Sequence, residues 1–269
     1  DFVWAAWDYL GEAGVGAWMY HSYPGLPILA GSGTIDITGE ITAEAYYEQI
    51  IWGLRKKPSI GVRPLNHTGE TPKKSPWRFT NAIDSWSWLG YEGQMATIDV
   101  FASGRAVRLE LNGKVIGTKP LKKYKTVFKV PYEQGTITAI SLDEAGQEIS
   151  RYSLTSGDQD MKLLMVPEQK SIVANGQSLC FIPMTFTDGK GNRIPYVEEK
   201  LVIEVSGPGR LIGLGSAIVK TNESYVDNKT RSYRGRALAV IRSTRSSGNI
   251  IIKAKSESGL IAEISIMAV

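Results

Sequence analysis

Carboxylates, hydroxyls, lysines and tryptophans are the side chains able to do chemistry in this chain, because cysteine and histidine are scarce. Cysteine occurs once, at Cys180, and histidine twice, at His21 and His67. A single cysteine excludes an intrachain disulfide framework, and these three residues cannot assemble a Cys/His zinc cluster. No metal site is expected. No Gly-rich phosphate loop appears either, so no cofactor is expected and any acid–base work falls to Asp and Glu. All seven tryptophans, Trp4, Trp7, Trp18, Trp52, Trp77, Trp86 and Trp88, lie in the first 88 residues. Trp offers an apolar ring face and one hydrogen-bond donor, so a Trp-rich segment builds either a large core or a ligand wall. Trp86-Ser87-Trp88 poses that choice most sharply. At i and i+2 of a strand the two indoles point the same way and form a candidate carbohydrate platform, and packing at a domain contact is the competing role.

The chain has 269 residues and a net charge of +4, enough for roughly two domains with a piece left over. Residues 1–57 carry 3 basic and 7 acidic side chains, residues 58–163 carry 14 and 11, and residues 164–269 carry 14 and 9. An acidic opening segment therefore meets two mildly basic ones. Lys119, Lys122, Lys123 and Lys125 form a basic stretch with Tyr124 as its one aromatic, a pattern that fits a solvated strand edge better than a phosphate track. Nucleic acid is not expected as a partner. Nor is a membrane, since no apolar run approaches the ~18 residues a spanning helix needs.

The elements that would position these side chains change character along the chain. Asp1-Phe2-Val3-Trp4-Ala5-Ala6-Trp7 reads as a buried strand with nothing to pair it, so Asp1 is expected to mark a cut in a longer polypeptide. Residues 13–30 are Gly- and aromatic-rich without a period, as functional loops tend to be. Between Thr42 and Leu54 the residues Ala43, Tyr46, Tyr47, Ile50, Ile51 and Leu54 share one helical face, with Thr42 as N-cap and Pro58 as the stop. Strand, loop and helix make one β/α unit, which cannot cover both of its faces alone. After a connector over 58–76 the pattern turns to short alternating strands. Asn112-Gly113 marks a type I′ hairpin, and Thr126 to Val130, Thr136 to Ser141 and Glu148 to Leu154 continue the strands. A second β unit follows with Ser178 to Thr187, Leu201 to Ser206, Arg236 to Ser243, Asn249 to Lys255 and Ala262 to Ala268. This spacing predicts two β-sandwiches, over 77–163 and 164–269.

Phe2-Val3-Trp4-Ala5-Ala6-Trp7-Asp8-Tyr9-Leu10-Gly11-Glu12, taken with Gly33-Thr34-Ile35-Asp36-Ile37-Thr38-Gly39 and the pair Tyr46-Tyr47, resembles the end of the catalytic barrel of bacterial glycoside hydrolase family 2 β-galactosidases. Val107 to Lys114 with Val130 to Gly135 is similar to the sandwich that follows that barrel, and Val205 to Gly209 with Asn222-Glu223-Ser224 to the immunoglobulin-like module at the C-terminus. The resemblance implies a mainly β chain: two immunoglobulin-like β-sandwiches preceded by the last strand, loop and helix (1–57) of a truncated (β/α)8 barrel.

It also implies an enzyme elsewhere in the polypeptide. Retaining glycosidases need two carboxyl groups about 5–5.5 Å apart, and in this family both are glutamates on earlier strands. The chain is thus expected to hold no catalytic residue and to be inactive alone. What remains is pocket wall: Trp4 matches the tryptophan that packs on the sugar, Asp8 and Glu12 match acidic positions that line or brace the pocket, and Trp18 lies on a loop shaping the leaving-group side. The implied partners are terminal β-linked sugars, galactosides, with a homo-oligomer left open. The implied location is the bacterial cytoplasm, with secretion or the periplasm as alternatives. A free-standing immunoglobulin-like carbohydrate-binding or adhesion module is the second reading; residues 1–57, which such a module has no use for, weigh against it.

Overall fold

The structure, a computed structural model, describes residues 3–269, so Asp1 and Phe2 of the expected first strand lie outside the described residues. The described residues form two compact units, one of residues 3–159 with 219–221, the other of residues 160–218 with 222–269. Among the described residues no helix is long and apolar enough to cross a membrane.

The first unit begins as irregular chain. Instead of a strand, residues 3–10 make isolated bridges, Trp7 to Ile35 in parallel and Leu10 to Leu29 antiparallel. The amides of Ala5, Asp8 and Gly11 still find carbonyls, on Ser32, Ile35 and Ile28, so backbone polarity is met without a regular ladder. Val3, Trp4 and Trp7 are exposed, so the burial expected of this segment is not seen. A two-residue strand, β1 (Leu26–Pro27), pairs with Lys220–Thr221.

Helix α1 spans Ala43–Ile51 with Thr42 as N-cap in extended conformation. Ala43 and Ile50 of its apolar face pack with Ala82 and Phe101, and Tyr47 lies against them, whereas Ile51 and, beyond the helix end, Leu54 are exposed, so the face expected from Ala43 to Leu54 is covered only in part. Tyr47, Phe79 and Phe101 meet edge to face at centroid distances of 5.0 to 5.8 Å, a favoured aromatic geometry.

Seven strands form the sandwich of this unit. They are β2 (Ser59–Val62), β3 (Met95–Phe101), β4 (Ala106–Leu111), β5 (Lys114–Pro120), β6 (Lys125–Pro131), β7 (Thr136–Leu142) and β8 (Glu148–Thr155). One sheet has the order β2-β3-β6, the other β5-β4-β7-β8. Alternation does the sorting: Val107, Leu109 and Leu111 of β4 and Phe128 and Val130 of β6 are buried, while their neighbours are not. The expected hairpin is present, with Asn112 at φ 52° and Gly113 at φ 77°, the positive values a type I′ turn demands. β2 lies inside the stretch read from sequence as a connector. All four of its residues are buried, so the polar alternation that betrays a half-exposed strand is missing.

The second unit pairs two further sheets. Its strands are β9 (Lys162–Met165), β10 (Ser171–Ile172), β11 (Leu179–Thr187), β12 (Lys200–Ser206), β13 (Gly209–Gly215), β15 (Lys229–Arg231), β16 (Arg236–Ser243), β17 (Gly248–Ser256) and β18 (Ile261–Ala268), the strand Lys220–Thr221 of the first unit being β14. The orders are β10-β18-β17-β12-β15 and β13-β16-β11-β9. Ile182, Met184, Phe186 and Ile241 from one sheet meet Leu201, Ile203, Ile252 and Ile266 from the other in one core. Cys180 is part of it, and burial pushes its thiol above the usual range, which makes it a packing residue rather than a nucleophile.

Trp86 and Trp88 are 1% and 0% exposed. The Trp86 indole donates to the Glu133 carbonyl at 3.0 Å and the Trp88 indole to the Ser85 carbonyl at 3.2 Å. They lie in irregular chain rather than on a strand, and neither offers a face to a sugar. The candidate platform is therefore corrected to core. Trp88→Ala is expected to cost about 3–5 kcal/mol of unfolding free energy in urea titration. Trp52→Ala, at a side chain 67% exposed, should stay within about 0.5 kcal/mol; equal losses would contradict this assignment.

Candidate functional site

The residues expected to line a pocket are carried by the irregular chain before α1. Its path is fixed by close backbone approach. At Gly33 an added Cβ would sit 2.1 Å from the Asp8 nitrogen, so no side chain fits between these two segments. Gly16 is equally tight, with an added Cβ 2.5 Å from that of Ser32.

Trp4 and Glu12 are brought together through Tyr9. The Trp4 indole donates to the Tyr9 hydroxyl at 2.8 Å, which donates to Glu12 Oε2 at 2.5 Å. The Trp4 and Tyr9 rings meet edge to face at 6.2 Å, and the Trp4–Ala5 peptide is cis. Trp4 is 61% exposed, so a large indole is held by its edge while its surface stays open. Glu12 has φ 56°, a conformation that costs energy outside glycine, and it is committed to the tyrosine hydroxyl.

Asp8 has a different part. It is 8% exposed, and its Oδ1 accepts from the amides of Ser32 at 3.2 Å and Gly33 at 3.3 Å. Burial raises its pKa, while hydrogen bonds from Gly33 and Tyr9 amides and the charge of Arg78 pull it back. This carboxylate braces a turn.

Trp18 joins a third set. Its indole donates to the Arg78 carbonyl at 3.1 Å, and two cations lie over its ring, Lys74 at 4.9 Å and Arg63 at 5.5 Å from the centroid. Arg63 also forks onto Asp99, Nε to Oδ2 at 3.1 Å and Nη2 to Oδ1 at 3.2 Å. Asp99 is fully buried on β3, and Lys125 at 3.3 Å and the Thr80 hydroxyl at 2.5 Å complete its shell. Unpaired, such a carboxylate would be costly to bury.

Two arrangements were not legible in the sequence. Tyr23 hydroxyl and His67 Nε2 are 2.9 Å apart, and His67 Nδ1 is 3.3 Å from Glu70 Oε2. Ser22 donates to Glu70 through its amide at 2.9 Å and its hydroxyl at 2.8 Å, and the Tyr20 ring stacks on His67 at 3.7 Å. Burial acts to raise Glu70, but the Ser22 and His67 hydrogen bonds outweigh it and hold the carboxyl below the usual range. The cluster clamps the loop at 20–23 to the turn at 67–70. His21 is exposed beside it. The second arrangement is the pair Arg78–Glu44, Nη1 to Oε2 at 3.2 Å, with Arg78 Nη2 also donating to the Gly33 carbonyl. Both clusters join residues more than 30 positions apart, which local patterning does not reveal.

Because the folded state holds the Asp8 proton more tightly than the unfolded chain, it binds more protons across the window above the usual aspartate range. Unfolding free energy then falls as pH rises through that window. Asp8→Asn keeps an acceptor for both amides and removes the ionisation. Relative to the parent its unfolding free energy should rise as the pH goes from about 4 to about 7, a window that starts in the usual aspartate range. Urea titrations at the two pH values check this, and a variant that loses ground as pH rises would contradict it.

Comparison with known proteins places this geometry in context. Residues 163–265 match the family model for glycoside hydrolase family 2 C-terminal domain 5, and residues 93–150 match a domain of unknown function, DUF4982. Beta-galactosidase BoGH2A of Bacteroides ovatus is 24% identical over 257 residues, which is 96% of this chain and 27% of that protein. A beta-galactosidase of Thermoanaerobacter pseudethanolicus is 30% identical over 129 residues, 48% of this chain and 16% of that protein. The chain thus spans under a third of the length of these relatives. A crystal structure of a glycosyl hydrolase family 2 member from Bacteroides cellulosilyticus superposes with a TM-score of 0.85 at 31% identity, covering 100% of this chain and 36% of that one.

Proposed function

Since the chain is a C-terminal portion of a glycoside hydrolase family 2 protein, we propose that it supplies non-catalytic pocket wall to a retaining glycosidase acting on terminal β-linked sugars, galactosides first among them. One observation carries the reading. Trp4 presents an exposed indole whose edge is anchored through Tyr9 to Glu12, which is how a stacking surface for an apolar sugar face is held in place.

The carboxylates of this region agree with a supporting role. A retaining mechanism needs one ionised carboxylate free to attack and a second, protonated, about 5–5.5 Å away. Asp8 is buried on two backbone amides and Glu12 is engaged by Tyr9, so each is committed to holding chain. On this reading the nucleophile and acid/base of the reaction belong to earlier barrel strands of the enclosing enzyme. Residues 3–57 act as the last β/α unit of that barrel, with Trp4 and Trp18 facing the sugar and the leaving group. The sandwich carrying α1 acts as its buttress.

A free-standing carbohydrate-binding module would need a sugar platform on the sandwiches. The pair that suggested one, Trp86 and Trp88, is buried.

The purified chain should not hydrolyse an aryl β-galactoside. In the enclosing enzyme, Trp4→Ala should lower kcat/KM by about two orders of magnitude, equivalent to ~2–3 kcal/mol of transition-state stabilisation. Steady-state kinetics measure both. Turnover by the chain alone would place catalytic residues within it, and an unchanged kcat/KM for Trp4→Ala would remove Trp4 from the pocket.

A further inference from the structure

We propose that Arg78 is the positioning residue of this wall, a single side chain that ties the Asp8 turn, the Trp18 ring and helix α1 together. The proposal rests on the pocket reading above for its functional meaning and on the following geometry for its physical content.

Gly33 is where the Asp8 segment and the chain before α1 touch. Its amide donates to Asp8 at 3.3 Å, and its carbonyl, on the other side of the same residue, accepts from Arg78 Nη2. No side chain can strengthen that contact, because an added Cβ would strike the Asp8 backbone. The turn is therefore held from outside. Arg78 is itself fixed by Glu44 of α1, whose Oε1 accepts the amides of Phe79 at 3.3 Å and Thr80 at 3.4 Å while its Oε2 takes the guanidinium. Amides and guanidinium close a loop around one carboxylate. The two side chains are 14% and 8% exposed, so neither charge has much water as an alternative partner and the pair resists being opened. The backbone of the same residue reaches the other wall element, through the Trp18 indole on the Arg78 carbonyl.

Arginine suits this place because its planar fork can satisfy a carboxylate and a carbonyl at once, whereas an ammonium is a single point charge. Its charge has a second effect. It lowers the proton affinity of Asp8, partly offsetting burial. Arg78 lies beyond the β/α segment, in the chain that leads from β2 to β3, so the sandwich unit sets the shape of a pocket wall that precedes it in sequence.

The test uses the full chain, with Arg78→Gln and Arg78→Lys followed by NMR. In Arg78→Gln the Asp8 carboxyl should titrate at least ~0.5 pH units higher, and the Trp18 indole N–H resonance should move. In Arg78→Lys the charge returns, so the Asp8 midpoint should come back to within ~0.2 pH units of the parent while the Trp18 resonance stays displaced, because one ammonium cannot replace the fork. A purely structural role would not give that split. Parent-like Asp8 and Trp18 signals in Arg78→Gln, with β3 amides native, would overturn the proposal, as would an Arg78→Lys protein whose Asp8 midpoint matches that of Arg78→Gln. None of these readouts involves a sugar. An unaltered Trp4→Ala enzyme would defeat the pocket reading and leave the Arg78 measurements as they stand.

Discussion

A nine-residue helix with a single apolar face is marginal by itself in water, and the arrangement of the first unit follows from where α1 finds cover. Ile50 and Ala43 settle on Phe101 and Ala82, so a strand of the sandwich and the chain leading into it complete the core that the β/α segment lacks. That contact brings Glu44 to Arg78. It also sets Tyr47 against Phe79 and Phe101, and Phe79 carries the amide next to the guanidinium that holds Gly33. Loss of the helix contact would therefore release the helix, the Asp8 turn and the Trp18 anchor in turn.

Charge burial adds a second constraint of the same kind. Asp99 sits fully buried on β3 with Arg63, Lys125 and Thr80 around it. A buried carboxylate with this many partners contributes little net stability against an apolar substitute but is costly to break by removing one partner. Its value lies in registration: Arg63 follows β2, Lys125 opens β6, and Arg63 also lies over the Trp18 ring. Two carboxylates, Asp99 and Glu44, so connect the sandwich to the same tryptophan by different routes. Tryptophans in this unit divide accordingly. Trp86 and Trp88 fill the core, with Trp86 edge to face on Tyr132 at 4.9 Å, whereas Trp4 keeps 61% of its surface exposed.

Much of the fold could be read from the sequence, because sandwich strands are half-buried and advertise themselves by alternation. β11, β12, β16, β17 and β18 lie within a residue of their expected limits, and the Asn112-Gly113 turn needs no tertiary information. α1 was legible from the face that holds Ala43, Tyr47 and Ile50, though the helix ends at Ile51, short of the expected Leu54 and Pro58. β2 escaped because its residues Ser59-Ile60-Gly61-Val62 are buried on both faces and the run is too short to show a period. The opening strand failed for the opposite reason. Its apolar residues promised burial, yet Val3, Trp4 and Trp7 are exposed and their backbone is met by single bridges. For Trp86-Ser87-Trp88 the sequence left platform and packing open, and burial decides for packing, since the shared direction of i and i+2 holds only on a strand. At the candidate site, Trp4, Asp8, Glu12 and Trp18 were legible through resemblance. Arg78, Glu44 and the Tyr23–His67–Glu70 cluster were not, because nothing in a local pattern says which distant carboxylate a given cation will meet.

The central claim is that the β/α segment is folded onto the sandwich as part of one cooperative unit. Native-state hydrogen exchange on the full chain measures this directly. The amides of Tyr46 in α1 and of its C-cap residue Trp52, bonded to the carbonyls of Thr42 and Glu48, should open with free energies within ~1 kcal/mol of those of β3. Exchange at those two amides at the rate of an unfolded peptide, with β3 still protected, would contradict the account.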